Sequence, residues 1–160
     1  MEQYIQPFIE GCEEVFRDFC KAEVKAGRPF FVLKDEKDRF ESNWDVSGVI
    51  GLSGEANGAV AISLQEATAF RLTTILTSKT YTTIERDVTD VLGEIVNIIT
   101  GNVKNVFEVQ YRIKITMPSI IKGKAHSINW PSKKARIICV PFTIFDNQEF
   151  CLSVAVEQGK

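Results

Sequence analysis

Apolar residues recur at helical spacing in two long segments of the chain. The first segment runs from residue 3 to residue 25, with Pro7 near its start, where a helix tolerates proline. The second runs from the capping-box sequence Thr82-x-x-Glu85 to about Asn105. At about 100° per residue, the apolar side chains of the second segment gather on one side of a helix. These side chains are Val88, Val91, Leu92, Ile95, Ile98, Ile99, Val103 and Val106.

Strand-like patterns lie on both sides of the second long helix. A β-hairpin is predicted around the turn sequence Ser-Gly-Glu-Ala-Asn-Gly, and a helix over residues 65–76 follows it, capped by Ser63. Residues 34–39 are predicted to form a charged turn and residues 123–134 a long loop, and Pro141 indicates a strand edge or a bulge. The predicted strands cover residues 30–33, 44–52, 59–64, 112–117, 119–121, 135–145 and 148–157.

This order of elements predicts an α+β fold, with helices packed on an antiparallel or mixed β-sheet. With 160 residues, of which 44% are hydrophobic, residues 1–160 are expected to form a single domain. The net charge of −2 provides no field that would attract nucleic acid. No apolar run reaches the roughly 20 residues that cross a bilayer, and the start of the sequence has no secretory leader. We therefore expect a cytoplasmic protein that binds neither nucleic acid nor membrane.

The cysteines and the single histidine have no catalytic or metal-binding spacing. Cys12, Cys20, Cys139 and Cys151 lie in hydrophobic segments without a C-x-x-C pair, so we expect reduced, buried thiols and no zinc site. His126 lies in the predicted loop, and neither a Cys-His nor a Ser-His-Asp arrangement can be assembled around it.

The second long helix has an unusual polar face. The stripe opposite its apolar side consists of Asp90, Glu94, Asn97 and Gly101, accompanied by Gly93, Thr100 and Lys104. Solvated helix faces ordinarily favour Glu, Lys, Gln and Ala, and each interior glycine costs about 1 kcal/mol relative to alanine. Glycine on an outward face allows a bulky group to approach closely. Rather than an ordinary solvated face, we interpret Asp90, Gly93, Glu94, Asn97 and Gly101 as a docking face.

Several kinds of chemistry use these residue types. Asp90 and Glu94 are candidates for paired-carboxylate chemistry, and with Asp87 for a magnesium site. Carboxylates one turn apart on a surface helix are more often inert, and magnesium sites usually combine several elements. An asparagine can instead orient a water for in-line attack, while a glutamate pairs with a lysine of the molecule attacked. Such a pair needs a substrate that supplies its own metal and electrophile, namely a protein with a labile phosphoryl group.

Around these residues the sequence resembles the CheX branch of the CheC, CheX and FliY chemotaxis phosphatases. The similarity includes Tyr-Ile-x-Pro-Phe-Ile-Glu, Gly-Arg-Pro-Phe, Val-Ser-Gly-Val-Ile-Gly-Leu-Ser-Gly and Leu-Gly-Glu-Ile-Val-Asn-Ile-Ile-Thr-Gly-Asn. In the family motif, an acidic residue or serine precedes a glutamate, an asparagine and a more distant proline. Asp90, Glu94, Asn97 and Pro118 occupy these positions, with Pro118 somewhat earlier than in the family. The first helix holds no second Glu-x-x-Asn, which favours the CheX type.

The resemblance implies a CheC/CheX-like fold and a homodimeric phosphatase that hydrolyses the aspartyl phosphate of a CheY-like response regulator. Asn97 would position the attacking water and Glu94 would contact a lysine of the regulator. Mg²⁺ would lie on the regulator, with no metal or cofactor on this chain. The further partner-binding residues would be Asp90, Gly93, Gly101, Lys104 and Pro118.

Two other functions remain open from the sequence. One is a non-catalytic module that binds a receiver domain or a flagellar-switch component, since the fold alone does not determine activity. The other is a small-molecule enzyme with an apolar pocket beside Asp90. The sequence does not specify the regulator, or whether the pathway is chemotaxis or another two-component system.

Overall fold

Four helices and eight strands make up the part of the chain that the computed structural model describes, residues 2–109, 111–131 and 133–158. The helices are α1 (Glu2–Asp18), α2 (Lys37–Glu41), α3 (Glu66–Thr77) and α4 (Arg86–Phe107). The strands are β1 (Val24–Ala26), β2 (Phe30–Val32), β3 (Val46–Gly54), β4 (Ala56–Leu64), β5 (Ile113–Ile115), β6 (Ser119–Lys122), β7 (Ile137–Ile144) and β8 (Gln148–Gln158). No helix among these residues combines the length and apolar character that a membrane span requires.

The described strands form one antiparallel sheet in the order β1-β7-β8-β4-β3-β5. Two short strands share each outer position, because β2 also pairs with β7 and β6 also pairs with β3. The central ladders are longer: Val46 to Leu52 pair with β4, and all nine residues of β4 pair with β8. The antiparallel form of the predicted α+β fold is therefore confirmed.

The core lies between one face of the sheet and the helices α1, α3 and α4. Alternate residues of β8, Phe150, Leu152 and Val154, face this core because successive strand residues point to opposite faces. Phe16 of α1 stacks on Phe150, with ring centroids 4.6 Å apart. α4 packs against α1, α3 and the strands β3 to β6, so its position is determined on several sides. Those contacts fix the backbone that carries the docking face.

The first helix is shorter than predicted. α1 ends at Asp18, and the residues at 24–26 pair with β7 as strand β1. Cys20 and Ala22 are buried and Val24 is half-buried, which is the spacing of two that a strand produces. Lys21 has a φ of 54°, outside the helical range. The apolar residues beyond Asp18 therefore belong to a strand and its approach rather than to the helix.

Neither predicted helix cap forms. Ser63 lies within β4, and the Glu66 N–H at the start of α3 donates to Asp45 Oδ2 over 2.8 Å. α4 begins after Glu85 without a side-chain cap hydrogen bond. The cap of α3 comes from a residue distant in sequence, which local sequence rules do not detect.

Two predicted connections also contain regular structure. The charged turn over 34–39 overlaps the short helix α2, which begins at Lys37. The hairpin loop is tighter than predicted, because β3 extends to Gly54 and β4 starts at Ala56. Gly54 turns the chain with a φ of +118°, in the region that favours glycine.

Pro141 lies opposite an interruption in the neighbouring strands. The registers of β1 and β2 differ by one residue, so residues 27–29 oppose residues 140–141 of β7, a bulged arrangement as predicted. The Pro141 carbonyl accepts a hydrogen bond from Gly27 N–H over 2.7 Å. In an antiparallel strand, the N–H and the C=O of one residue face the same neighbouring strand. The position where Pro141 lacks an N–H therefore faces the same interruption.

The prediction that all four cysteines are reduced is wrong for two of them. Cys139 and Cys151 form a disulfide across β7 and β8, with Cα atoms 6.4 Å apart. They are diagonal neighbours on one sheet face, since Cys139 lies opposite Ser153 and Cys151 opposite Pro141. Because sequence spacing does not reveal strand register, the pairing was not predictable. Cys12 and Cys20 are free and buried, as expected.

Candidate functional site

The outward side of α4 carries the candidate site. Asp90, Glu94 and Asn97 are exposed there, while Gly93 and Gly101 are half-buried. On the opposite side Leu92, Ile95 and Ile99 are fully buried. The amphipathic pattern therefore predicted the orientation of α4, because positions three and four residues apart share a helix face.

Two residues of α4 differ from the prediction in their burial. Thr100 was assigned to the polar face but is 1% exposed, and its hydroxyl donates to the Val96 carbonyl over 2.7 Å. This hydrogen bond satisfies the buried hydroxyl within the helix. Val106 was assigned to the apolar side but is 56% exposed, because α4 is near its end at Phe107.

A groove of about 600 Å³ lies between α4 and the chain that connects β5 to β6. α4 contributes Thr89, Asp90, Gly93, Glu94 and Asn97, and the facing wall consists of Ile115, Thr116, Met117, Pro118 and Ile120. The structure thus brings Asp90, Gly93, Glu94, Asn97 and Pro118 together. A β-carbon added to Gly93 would lie 3.8 Å from both Pro118 Cβ and Ile120 Cδ1.

The facing wall is held in place by Thr116. Its Oγ1 accepts from the Gly51 N–H over 2.9 Å and donates to the Met117 carbonyl over 3.2 Å. Met117 itself is 84% exposed, so a large apolar side chain projects at the rim of the groove. Apart from Pro118, sequence reasoning missed this wall, because the pairing of β5 and β6 with β3 depends on sheet order.

Two predicted site residues lie outside the groove. Lys104 lines a different depression, with Glu55 and Arg112, and its Nζ pairs with Glu108 Oε1 at 3.2 Å. Gly101 lies one turn beyond Asn97, and a β-carbon added there would meet nothing within 4 Å. The groove is therefore built around the first half of α4.

The polar groups of the groove are available for an external partner. Within the described residues, the Glu94 carboxylate and the Asn97 amide have no hydrogen bond or ion pair. Asp90 Oδ2 lies 3.7 Å from Arg86 Nε, but these side chains are 68% and 92% exposed, so their attraction is weak. No group of three His, Cys, Asp or Glu residues in the described part of the chain is arranged to hold a metal ion. The arrangement can position and hydrogen-bond a group supplied by another molecule.

Comparisons with known proteins indicate one protein family. Residues 46–143 match the family model described as chemotaxis phosphatase CheX, which is more than half of the chain. The chemotaxis protein CheX of Vibrio vulnificus is 27% identical, with a TM-score of 0.83 over 97% of this chain and 99% of that one. A CheC-like superfamily protein from Shewanella sp. PV-4 is 26% identical, with a TM-score of 0.81 over 96% and 97% of the two chains.

The Borrelia burgdorferi protein was solved as a complex of CheX with CheY, BeF3 and Mg²⁺. It is 25% identical, with a TM-score of 0.80 over 97% of this chain and 98% of that one. A comparison with curated proteins finds no match. Because the family match covers most of the sheet together with α3 and α4, this chain belongs to the CheX family of chemotaxis phosphatases.

Proposed function

We propose that this chain hydrolyses the aspartyl phosphate of a CheY-like response regulator, with the docking face of α4 entering the regulator's active site. The observation that carries the proposal is the exposed pair of Glu94 and Asn97, which lack partners within the described residues and line one groove. The Borrelia burgdorferi relative supports the choice of substrate, because it was solved with CheY, BeF3 and Mg²⁺.

Asn97 orients the attacking water in this proposal. Its amide can accept a hydrogen bond from a water and donate another, and it exchanges no proton at neutral pH. The water oxygen attacks phosphorus in line as the bond to the aspartyl oxygen breaks. The products are the aspartate carboxylate and inorganic phosphate, which takes up the oxygen and both protons of the water. Positioning is the contribution of Asn97, because the regulator supplies the reactive phosphoryl group.

Glu94 holds the regulator in register. A carboxylate one turn before Asn97 can pair with a lysine of the regulator, and such a charged contact is shorter and stronger than a neutral one. Mg²⁺ bound by the regulator would neutralise charge on the phosphoryl group. Asp90, Gly93 and Pro118 complete the contact surface around this pair. Gly101 and Lys104 are proposed as outlying partner contacts.

The test measures dephosphorylation of a receiver domain. Purified CheY-like receivers are phosphorylated with a small phosphodonor and Mg²⁺, and decay is followed with wild type, Asn97→Ala and Asn102→Ala. Asn102 is exposed on α4 but lies outside the groove, so it is a matched control. Loss of the positioning amide should slow turnover by roughly 10²-fold or more, while the control stays active.

Two outcomes would contradict the proposal. Decay of every receiver could be unchanged by wild type, or Asn97→Ala could accelerate it as well as wild type does. A non-catalytic binder would show the first result while retaining affinity for a receiver after Asn97→Ala. The rate should also be flat between about pH 6 and 8, because asparagine does not titrate; a steep profile would assign the chemistry to another group.

We also propose that the protein is a homodimer. Both outer positions of the sheet are occupied by short strands, such as β1 and β5 with three residues each. Edges this short offer little length for pairing with a second chain, so the proposal rests on the family resemblance. Sedimentation velocity should give twice the 18.0 kDa chain mass, and a species of 18.0 kDa at micromolar concentration would contradict this proposal.

A further inference from the structure

A second concave surface lies at the opposite end of the sheet from the groove of α4. It is formed by β2, the start of β7, α2 and the two segments 128–130 and 133–136, and its volume is about 570 Å³. β2 pairs with β7, whereas the strands at the wall of the groove, β5 and β6, pair with β3. Strands β8 and β4 lie between β7 and β3. We call this surface the basic pocket. It has no role in the proposed phosphatase reaction.

Positive charge dominates the basic pocket. Among the residues that the structure describes, five of the chain's 19 lysines and arginines line it, and none of the lining residues is acidic. These five are Lys34, Lys37, Lys133, Lys134 and Arg136. The Glu41 carboxylate offsets the charge of Lys37, and the remaining excess of positive charge creates a local field that attracts anions.

The wall of the basic pocket is held by a buried carboxylate. Glu41 is 3% exposed and accepts hydrogen bonds from Ile128 N–H and Trp130 Nε1–H, each over 3.0 Å. Its Oε2 also lies 3.2 Å from Lys37 Nζ. Three donors satisfy the buried charge, so α2 and the chain around Trp130 form one rigid unit. The basic pocket is therefore formed before any ligand arrives, as small-molecule sites usually are.

The rest of the lining is apolar and aromatic. Phe31 and Ile137 come from the two paired strands, and Leu33, a large apolar side chain, is 55% exposed. Trp130 lies at the same surface, and Asn129 beside it has an amide that can both donate and accept. An inorganic anion would not use the apolar side chains, and a neutral apolar ligand would not use the lysines.

We infer that the basic pocket binds a nucleotide, with its base against the apolar side chains and its phosphates on the lysines. The chemistry follows from the lining. Lysine ammonium groups make charge-assisted hydrogen bonds to phosphate oxygens. Aromatic and apolar surface accepts a base, and the Asn129 amide can contact the base edge. A pocket of about 570 Å³ lies within the range of small-molecule sites, roughly 300–1,000 Å³.

The fluorescence of Trp130 can report ligand binding in the basic pocket. The chain has two tryptophans, so Trp44→Phe leaves Trp130 as the single reporter. This substitution is conservative, because the buried Trp44 Nε1 has no hydrogen-bond partner among the described residues. The Trp130 fluorescence of Trp44→Phe is titrated with ATP and GTP, and with triphosphate and adenosine as probes of each half of the ligand. Calorimetry on the wild-type chain checks each result.

We expect a saturable change with ATP or GTP, and binding at least roughly tenfold weaker for triphosphate and for adenosine. The double variant Lys34→Glu/Lys133→Glu should weaken nucleotide binding by roughly tenfold or more, since it reverses two charges of the basic pocket. Lys124→Glu is the control, because this exposed lysine precedes the same wall without lining the pocket. Absence of saturable binding to millimolar nucleotide, or equal loss in the control, would overturn the inference. Triphosphate binding as tight as ATP would also overturn it.

Discussion

Alanine substitutions at Gly93 and Gly101 separate the stability of α4 from its use as a docking face. Both glycines lie inside a 22-residue helix, and neither has a positive φ. A β-carbon at Gly101 would meet nothing within 4 Å, and one at Gly93 would make ordinary contacts at 3.8 Å. The free protein therefore has no steric reason to hold glycine at either position. A partner that approaches the helix closely would provide that reason.

The expected magnitudes follow from this geometry. Replacing an interior helical glycine by alanine stabilises a helix by about 1 kcal/mol when the site has room for the methyl group. In a chain of this size, each kcal/mol raises the midpoint of thermal unfolding by roughly 2–4 °C. A methyl group forced into a packed interface costs roughly 1–3 kcal/mol. Gly93→Ala should therefore be more stable than wild type but have kcat/KM at least roughly fivefold lower.

The assay combines thermal unfolding with receiver dephosphorylation. Gly93→Ala should lose the most activity, because Gly93 lines the groove, and Gly101→Ala should lose less. Asn102→Ala is the control, since alanine also improves helix propensity at this exposed position outside the groove. Full activity in a stabilised Gly93→Ala protein would refute the assignment of the docking face. A destabilised variant would instead refute the estimate of space around the glycine.

Three further predictions rest on other parts of the molecule. Met117→Ala should raise KM for the phosphorylated receiver with kcat nearly unchanged, whereas Val109→Ala, equally exposed outside the groove, should change neither. Thiol titration without reductant should find no reactive thiol in the native protein, because burial raises the pKa of Cys12 well above its usual value and that of Cys20 to about 12. Denaturation should expose two reactive thiols, since the other two cysteines form the disulfide. Desolvation raises the pKa of Tyr81, so the folded protein favours the neutral hydroxyl. The stability that this preference contributes should be complete below about pH 10 and should be lost as pH rises through the higher folded pKa. In urea titrations, Tyr81→Phe should lose less stability over this pH range.

The features that sequence periodicity predicted are those that depend on near neighbours. The apolar side of α4 is an example, because helix geometry places residues three and four apart on one face. The β3–β4 hairpin is another, since a turn sequence lies between two apolar segments. In both, local spacing and the final burial agree. The α+β class and the antiparallel sheet were predictable for that reason.

Features that depend on distant residues were not predictable in the same way. The cap of α3 comes from Asp45, and the predicted cap residue Ser63 lies in a strand. The Cys139–Cys151 disulfide depends on the register of β7 and β8. The residues beyond Asp18 were predicted to be helical because cysteine, alanine and valine occur in both helices and strands. Each case required the pairing of elements that sequence spacing alone leaves open.

In the candidate site too, the predictable residues are those that lie close together in sequence. Asp90, Gly93, Glu94 and Asn97 share one helix, so local geometry was enough to predict that they lie together. Pro118 was assigned from a resemblance, and the structure brings it to the groove through the pairing of β6 with β3. Met117, Ile115 and Ile120 had no signal of their own, since isolated apolar residues after a helix read as ordinary strand positions.

A site with these properties gains from being rigid in its backbone and unpartnered in its side chains. α4 packs against the sheet and α1 along most of its apolar face, so packing holds its backbone at Glu94 and Asn97 before binding. Because neither side chain bonds to the described residues, docking need not break an internal contact. If Asn97 instead reached its position only on binding, Gly93→Ala and Gly101→Ala, which stiffen α4, would raise kcat. Unchanged kcat with raised KM in both variants would favour the preformed helix.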